Sequence, residues 1–497
     1  MATIRDITTM CKAGQVQEAY ELAKADMEQS PDEVWVHREV AWALNYLMKE
    51  DADTNNYQSL IDHLDELKEL DLLSIPDDNI LFDNVLFKVA GFIKQNLIPT
   101  DVDTPAKLST LYCKLKEYIF EPSKGYSFLL QSVIKCSAWG EMADFIDWWN
   151  LGNLTAEDYT PFRMDNGREI MSVAERAFIA QSKALLLLND PGRIEEFLPK
   201  LDELMNAHPE MTYPGYFYGK LLLSLGSNPD EALKVVVPFA RKKSTEFWVW
   251  QLLSDVFTNE PDKQLACLLR AVHCKTQENF LGKVRIKLAA LFIQRNMYDY
   301  AKFQIDKVTQ CYLSQGWHVP HEIDMWIHQS WINEVSPNGG SPIDYESITN
   351  DILCEGTEEA IAIVTFVDQK AKKAHMVYGM EKKMAHKLRF NVGPGAVLKI
   401  NYILDGDGRI KILNAGRTAF PTDLPYAKVV EGTIKKREGW NYAFMHSGND
   451  KCFVPPTVVA KYNLDDGQEV QCLIVYDYDK NKQTWNWVCL SINDKKA

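Results

Sequence analysis

The chain has 497 residues, too many for one ordinary hydrophobic core, so several domains are expected. With 46% hydrophobic, 25% charged and 11% aromatic residues, its composition is globular and excludes long disorder. A formal net charge of −15 excludes a molecule that coats nucleic acid over its whole surface.

The charge is unevenly shared. Residues 357–497 hold 21 Lys+Arg against 16 Asp+Glu, whereas the preceding residues hold 33 against 53. Such asymmetry points to divided labour along the chain. The first ten residues, MATIRDITTM, lack the apolar centre of a signal peptide, and no run of about 18 apolar residues occurs, so a cytoplasmic protein is expected. The ten cysteines are scattered without a C-x-x-C pair. Most, including Cys113, Cys136 and Cys267, lie in apolar helical patterns, where buried free thiols are the ordinary outcome.

At the amino end, GQVQEAYELAKADMEQSPDEVWV reads as a helix with Ala19 on its apolar face and Pro31 ending it. From Thr54 to Asn189 helical periodicity continues through TPAKLSTLYCKLKEYIF and SAWGEMADFIDWWN, without a small-residue signature. Degenerate repeats and an irregular helical insert both fit that stretch. Three stretches then follow one plan: GSNPDEALKVVVPFARK, NEPDKQLACLLRAVHCK and RNMYDYAKFQIDKVTQC. Each places an alanine early on an apolar face, at Ala232, Ala266 and Ala301. The helices before them carry small residues beside bulky ones: Gly219 in the first, Ser254 beside Trp250, Leu253 and Phe257, and Ala289 beside Leu288 and Phe292. A small residue is needed where paired helices cross closely, and bulky neighbours fill the gap beside it.

Two helices per roughly 34 residues resembles the tetratricopeptide repeat. The resemblance implies an all-α helical-repeat solenoid over residues 1–335, irregular at about 54–190, with a concave face that docks a protein partner. Trp139, Trp148, Trp149, Trp248, Trp250, Trp326 and Trp331 recur at helical spacing, which fits packing between helices, with a ligand pocket as the alternative. The run Arg241-Lys242-Lys243 reads as a cap complementing a helix dipole rather than a binding patch. His318, His321 and His328 lack the H-E-x-x-H arrangement, and no metal site is expected.

The pattern breaks near Glu334. SPNGGSPIDY carries two prolines and two glycines without an apolar period, so residues 336–355 read as a linker. Beyond it, β-branched runs alternate with turns such as Asp405-Gly406-Asp407-Gly408 and Asp465-Asp466-Gly467. Two small all-β barrels fit this length, at 356–422 and 426–497. The first is read as a divergent OB-like barrel, in which AIVTFVDQKAKKAHMVYG makes two strands and a turn and VGPGAVLKINYIL a later strand pair.

The last segment, EGTIKKREGWNYAFM with KCFVPPTVV and NLDDGQEVQCLIVYDYD, resembles a cold-shock-type OB barrel and the related OB repeats of ribosomal and RNA-processing proteins. Gly432, Lys435, Lys436, Tyr442, Phe444, Phe453, Val454, Gly467, Gln468 and Val470 stand at the family's positions. Three departures are Ala443, where the family has glycine, Pro455, where it has histidine, and the absence of the first strand's aromatic, for which Trp440 offers another ring. The resemblance implies binding of single-stranded RNA or DNA. Alternation puts Trp440, Tyr442 and Phe444 on one face of a strand, as stacking platforms for bases or as filling for a small core. Lys435, Lys436, Arg437 and Lys451, with Phe453, complete the candidate nucleic-acid site. In the other barrel the candidates are Lys372, Lys373, His375 and Tyr378. No phosphate loop, dinucleotide fingerprint or nucleophile elbow occurs, so neither catalysis nor a cofactor is expected. The architecture is similar to bacterial adaptors that join helical repeats to OB modules. By that analogy it belongs in a multi-component defence or stress system; a pure protein scaffold is the alternative.

Overall fold

Apolar residues recurring every three to four positions make the first part of the chain helical. In a computed structural model, residues 2–72, 78–226, 228–388, 390–404, 408–421, 424–448, 450–479 and 482–493 are described. Two units are distinguished, Met1–Phe239 and Ala240–Ala497.

The first unit contains α1 (Ile4–Lys12), α2 (Val16–Gln29), α3 (Val34–Thr54), α4 (Tyr57–Glu69), α5 (Asn79–Asn96), α6 (Thr104–Leu115), α7 (Lys124–Val133) and α8 (Met142–Trp149). A short hairpin of two-residue strands, β1 (Phe162–Arg163) and β2 (Glu169–Ile170), precedes α9 (Val173–Leu188), α10 (Pro191–Ala207) and α11 (Pro214–Ser224). The helix α12 (Pro229–Lys243) runs through the boundary between the units. Helix starts follow local chemistry. Thr3 and Asp6 form a reciprocal capping box at α1, Ser172 caps α9, and Asp190 caps α10 with Pro191 at its first position. Trp149 is fully buried and stacks on Tyr126 at 4.6 Å. The indole Nε1 donates to the Tyr126 carbonyl, and the Tyr126 hydroxyl donates back to the Trp149 carbonyl. Trp139 is buried too, so these tryptophans serve helix packing.

The second unit continues with α13 (Phe247–Val256), α14 (Pro261–Val272), α15 (Gly282–Gln294), α16 (Tyr298–Ser314), α17 (His321–Ile327) and α18 (Tyr345–Cys354). Trp250, Leu253, Ser254, Ala266, Leu288, Ala289, Phe292 and Ala301 are all buried in it, and Trp326 and Trp331 pack on the α15–α16 core. The buried Arg285 is matched by Glu278 and Gln304, which together accept from its guanidinium.

The linker expected at 336–355 contains α18 instead, with Thr349, Ile352 and Leu353 buried. Prolines and glycines mark its approach but do not continue into it. Arg241 likewise differs from a simple end cap: its Nε donates to the Leu353 carbonyl at 2.8 Å and its Nη2 to the Glu355 carbonyl, so it holds the end of α18. The Arg241 carbonyl in turn accepts from Lys411. These contacts tie the last helices to the β-rich part, which is why the second unit includes both.

The first β module comprises β3 (Glu358–Asp368), β4 (Lys373–Gly379), β5 (Lys382–His386), β6 (Val397–Leu404) and β7 (Ile410–Arg417), antiparallel in the order β5-β4-β3-β6-β7. That is the strand order of an OB barrel cut open between β5 and β7, whose edges are not paired among the described residues. VGPGAVLKINYIL forms one strand, β6, rather than a pair. Of the proposed Asp405-Gly408 turn, residues 405–407 lie outside the described residues.

The second module comprises β8 (Ala427–Lys435), β9 (Ala443–Ser447), β10 (Asp450–Val454), α19 (Pro456–Tyr462), β11 (Glu469–Asp479) and β12 (Thr484–Asn493). It is a closed barrel in the order β10-β12-β11-β8-β9. The β10–β12 pair is parallel and the others antiparallel, with α19 between β10 and β11, as in an OB fold. The two modules meet through Ile363, Val377, Ala427, Leu473, Val475 and Leu490. The Tyr426 hydroxyl donates to the Ile361 carbonyl at 2.6 Å, and Lys383 pairs with Asp477 at 2.5 Å.

Candidate nucleic-acid interface

The closed barrel sorts its side chains by the two-residue period of its strands. Ile434, Ala443, Met445, Cys452, Val454, Cys472, Ile474 and Cys489 point inward and are buried. Burial pushes the Cys452 thiol up, and Cys489 is raised by its hydrogen bond with Cys472 and by burial, so neither offers a thiolate for chemistry. Gly432 is required by close approach: a Cβ there would lie 2.5 Å from the His446 carbonyl oxygen on β9. The departures from the cold-shock pattern have local reasons. Ala443 is fully buried and fills the core. Pro455 occupies the cap of α19, with Pro456 at the first helical position.

Residues between the inward positions face out. Lys435 lies opposite Phe444, and Phe444 opposite Phe453. Trp440 and Tyr442 do not belong to a strand, contrary to the simple alternation: a turn with Gly439 at φ +80° intervenes, and β9 begins only at Ala443. The rings nevertheless converge. Trp440 stacks on Tyr442 at 4.6 Å and 21°, Tyr442 lies 5.9 Å from Phe444 and 5.8 Å from Phe453, and those two rings are 5.9 Å apart. All four are half-buried, outside the barrel core.

Cations border the rings. The Arg437 guanidinium lies 5.0 Å from the Trp440 ring centre and the Lys451 ammonium 4.1 Å from that of Phe444. Lys435 and Arg437 are exposed. Lys436 is placed differently: its Nζ donates to the Leu464 carbonyl at 3.1 Å and its backbone N–H to Asp466 at 2.8 Å. It holds the α19–β11 loop against the end of β8. Seven of the eight candidates therefore form one surface and Lys436 supports it.

A second ring cluster escaped the sequence reading. Tyr476 and Tyr478 of β11 pair across the ladder with Trp487 and Trp485 of β12, at 5.5 and 5.6 Å. Lys428 stands 4.8 Å from the Trp487 ring. The strict alternation in YDYDKNKQTWNW was the available signal.

In the first β module the candidates divide. Lys372 and Lys373 are exposed, Lys372 in a turn with φ +52°. His375 faces outward beside the exposed Phe366, 5.6 Å away. Tyr378 packs instead against the module's core beside Tyr402, because it shares the inward face of Ala374 and Met376. Among the described residues no group of three or more His, Cys, Asp or Glu side chains is arranged to hold a metal ion. None of the helices described is long and apolar enough to cross a membrane.

Comparison with known families bears on this barrel directly. Residues 428–492 match the model of the S1/CSD-like domain 2 of the TOTE conflict systems. The C-terminal domain is OB-like. The match spans β8 to β12 and therefore both ring clusters. A second model, a domain of unknown function (DUF7017), matches residues 212–350, the helices from α11 to α18. No curated protein matches the chain.

Proposed function

We propose that the protein is a non-enzymatic cytoplasmic adaptor whose S1/CSD-like barrel binds single-stranded RNA or DNA. Its helical hairpins form a tetratricopeptide-like solenoid that docks a protein partner. The observation that carries the reading is the ring cluster Trp440, Tyr442, Phe444 and Phe453 on the barrel's outside, flanked by Lys435, Arg437 and Lys451. Bases stack on aromatic faces with little sequence preference, and cations beside them meet phosphates. The likeness to a domain of the TOTE conflict systems supports a place in a conflict or defence system. The bacterial, multi-component setting, with the chemistry left to a partner, is the analogy drawn from the domain architecture.

A pure protein scaffold is the competing reading. It is favoured by the rings' packing on one another, which covers part of their faces. Titrating labelled oligo-U and oligo-dT at two salt concentrations separates the readings. Binding that weakens with salt and is lost in Tyr442→Ala/Phe453→Ala supports the adaptor. Absence of binding at low salt, or binding indifferent to those substitutions, supports the scaffold.

A further inference from the structure

In residues 1–239 acids outnumber bases by 39 to 21, so a surface that gathers bases there calls for a reason. Helices α3, α5, α7 and α9 form such a surface. They pack side by side in that order. Each carries one partly exposed stripe whose residues recur three and four positions apart. On α3 the stripe is Trp42, Tyr46 and Lys49, and on α5 it is Phe87 and Lys94, with Lys88 beside them. On α7 it is Phe128 and, just past the helix end, Lys135; on α9 it is Arg176 and Lys183.

The stripes join across the helices. Phe87 and Phe128 lie 5.8 Å apart, and the Lys94 ammonium sits 5.3 Å from the Phe128 ring centre. Lys88 is within electrostatic range of Lys49, and Lys135 of both Lys94 and Arg176. Asp53, near the end of α3, also acts on Lys88. None of the six bases forms an ion pair among the described residues. Burial pushes Lys88, Lys135 and Arg176 down, and cationic neighbours add to this at the two lysines. Like charges gathered this way repel one another, and an anion laid among them relieves the repulsion.

The extent of the face and its surroundings choose the anion. Three steps between neighbouring helices, each about 8–10 Å, span roughly 25–30 Å, or about eight residues of extended polypeptide. Beyond the face the unit is richer still in acid. A uniformly charged nucleic-acid strand that overran the face would meet repulsion, whereas a polypeptide confines its carboxylates to a short segment. Trp42 and Tyr46, half-buried beside Lys49, offer contact to apolar side chains interspersed among those acids.

We infer that this face of α3, α5, α7 and α9 docks an acidic extended segment of a partner polypeptide, whose carboxylates meet Lys49, Lys88, Lys94, Lys135, Arg176 and Lys183. The inference rests on the adaptor reading for its protein partner, and it names that partner's chemistry. It is independent of nucleic-acid binding by the barrel.

The test uses the intact chain and two fluorescein-labelled peptides of about twelve residues, long enough to span the face. One is a Glu-Ser repeat and the other its Gln-Ser counterpart. The Glu-Ser peptide is expected to bind at low salt, to weaken as salt rises, and to bind tighter than the Gln-Ser peptide. Lys49→Gln/Lys94→Gln/Lys135→Gln changes only exposed positions and should weaken that binding about tenfold. Lys116→Gln/Lys200→Gln/Lys234→Gln removes as many charges at exposed positions elsewhere in the unit and should leave it unchanged. A thermal melt of each variant checks the fold. If the first variant melts lower, Lys49→Gln/Lys135→Gln, which keeps Lys94 on the Phe128 ring, takes its place with about a fivefold loss expected. The inference is overturned if the Glu-Ser peptide fails to bind at low salt, if the stripe variant binds as the parent does, or if the control variant loses as much. Displacement of the peptide by oligo-U, with oligo-U binding also lost in the stripe variant, would assign the face to nucleic acid and overturn it. Equal binding of both peptides, lost in the stripe variant, would overturn the acidic assignment and leave protein docking on the helices standing.

Discussion

Tyr442 sits at the centre of the ring cluster, touching Trp440, Phe444 and Phe453, yet it is outside the barrel core. Truncation there should cost binding rather than folding. Tyr442→Ala is expected to weaken oligo-U binding by about 1–3 kcal/mol, with an unchanged melting temperature, as read by fluorescence anisotropy and calorimetry. Lys451→Ala should act through phosphate contact instead. It should reduce the slope of log K against log salt by about 0.7 while leaving sequence preference alone. Lys436→Ala should differ from both, since its ammonium holds the Leu464 carbonyl. Loosening of the α19–β11 loop, seen as faster amide exchange, is its expected signature. In the first unit, Glu39 is fully buried, and both its carboxylate oxygens are without partners. Burial, with Asp26 nearby, raises its carboxyl to about 7. A group whose native value exceeds its unfolded value of about 4.3 favours folding below that value and loses this contribution as pH rises to about 7. Glu39→Gln should therefore match the parent's stability at pH 4 and exceed it at pH 8, in urea melts followed by circular dichroism.

At the scale of elements, much was legible. The helix pairs carrying Ala266 and Ala301 lie where the small-residue spacing puts them, and these alanines are buried as that spacing requires. The cold-shock-like order of glycine, basic strand, aromatic strand and short third strand likewise corresponds to β8, β9 and β10. Gly432 shows why: β9 comes so close that a side chain meets the His446 carbonyl. Gly432→Ala is expected to lower barrel stability by about 1–3 kcal/mol, measurable as reduced exchange protection of β8 amides. Other features were hidden for physical reasons. Trp440 precedes its strand because a left-handed glycine makes a turn that a period-two pattern does not reveal. The runs AIAIVTFVD and VQCLIVY lack clean alternation because β3 and β11 are covered on both faces, by their own cores and by each other's modules. That loss of alternation was the sign of two docked β modules. α18 was missed because Pro and Gly punctuate the residues just before it, while its own buried face is only Thr349, Ile352 and Leu353.

Across the whole molecule, charge and architecture divide together. The acidic surplus lies before residue 357 and the basic surplus after it, in the β modules. On the proposed function, this charge division would direct an anionic strand to the C-terminal barrel, and association should then be fast and strongly salt-dependent. Photo-crosslinking of a 4-thiouridine-substituted oligo-U to the intact chain, with peptide mapping of the adducts, tests the central claim most directly. The account predicts adducts within residues 435–453, centred on Trp440, Tyr442, Phe444 and Phe453, and their loss at high salt. Adducts confined to the helical residues, or none at low salt, would contradict it.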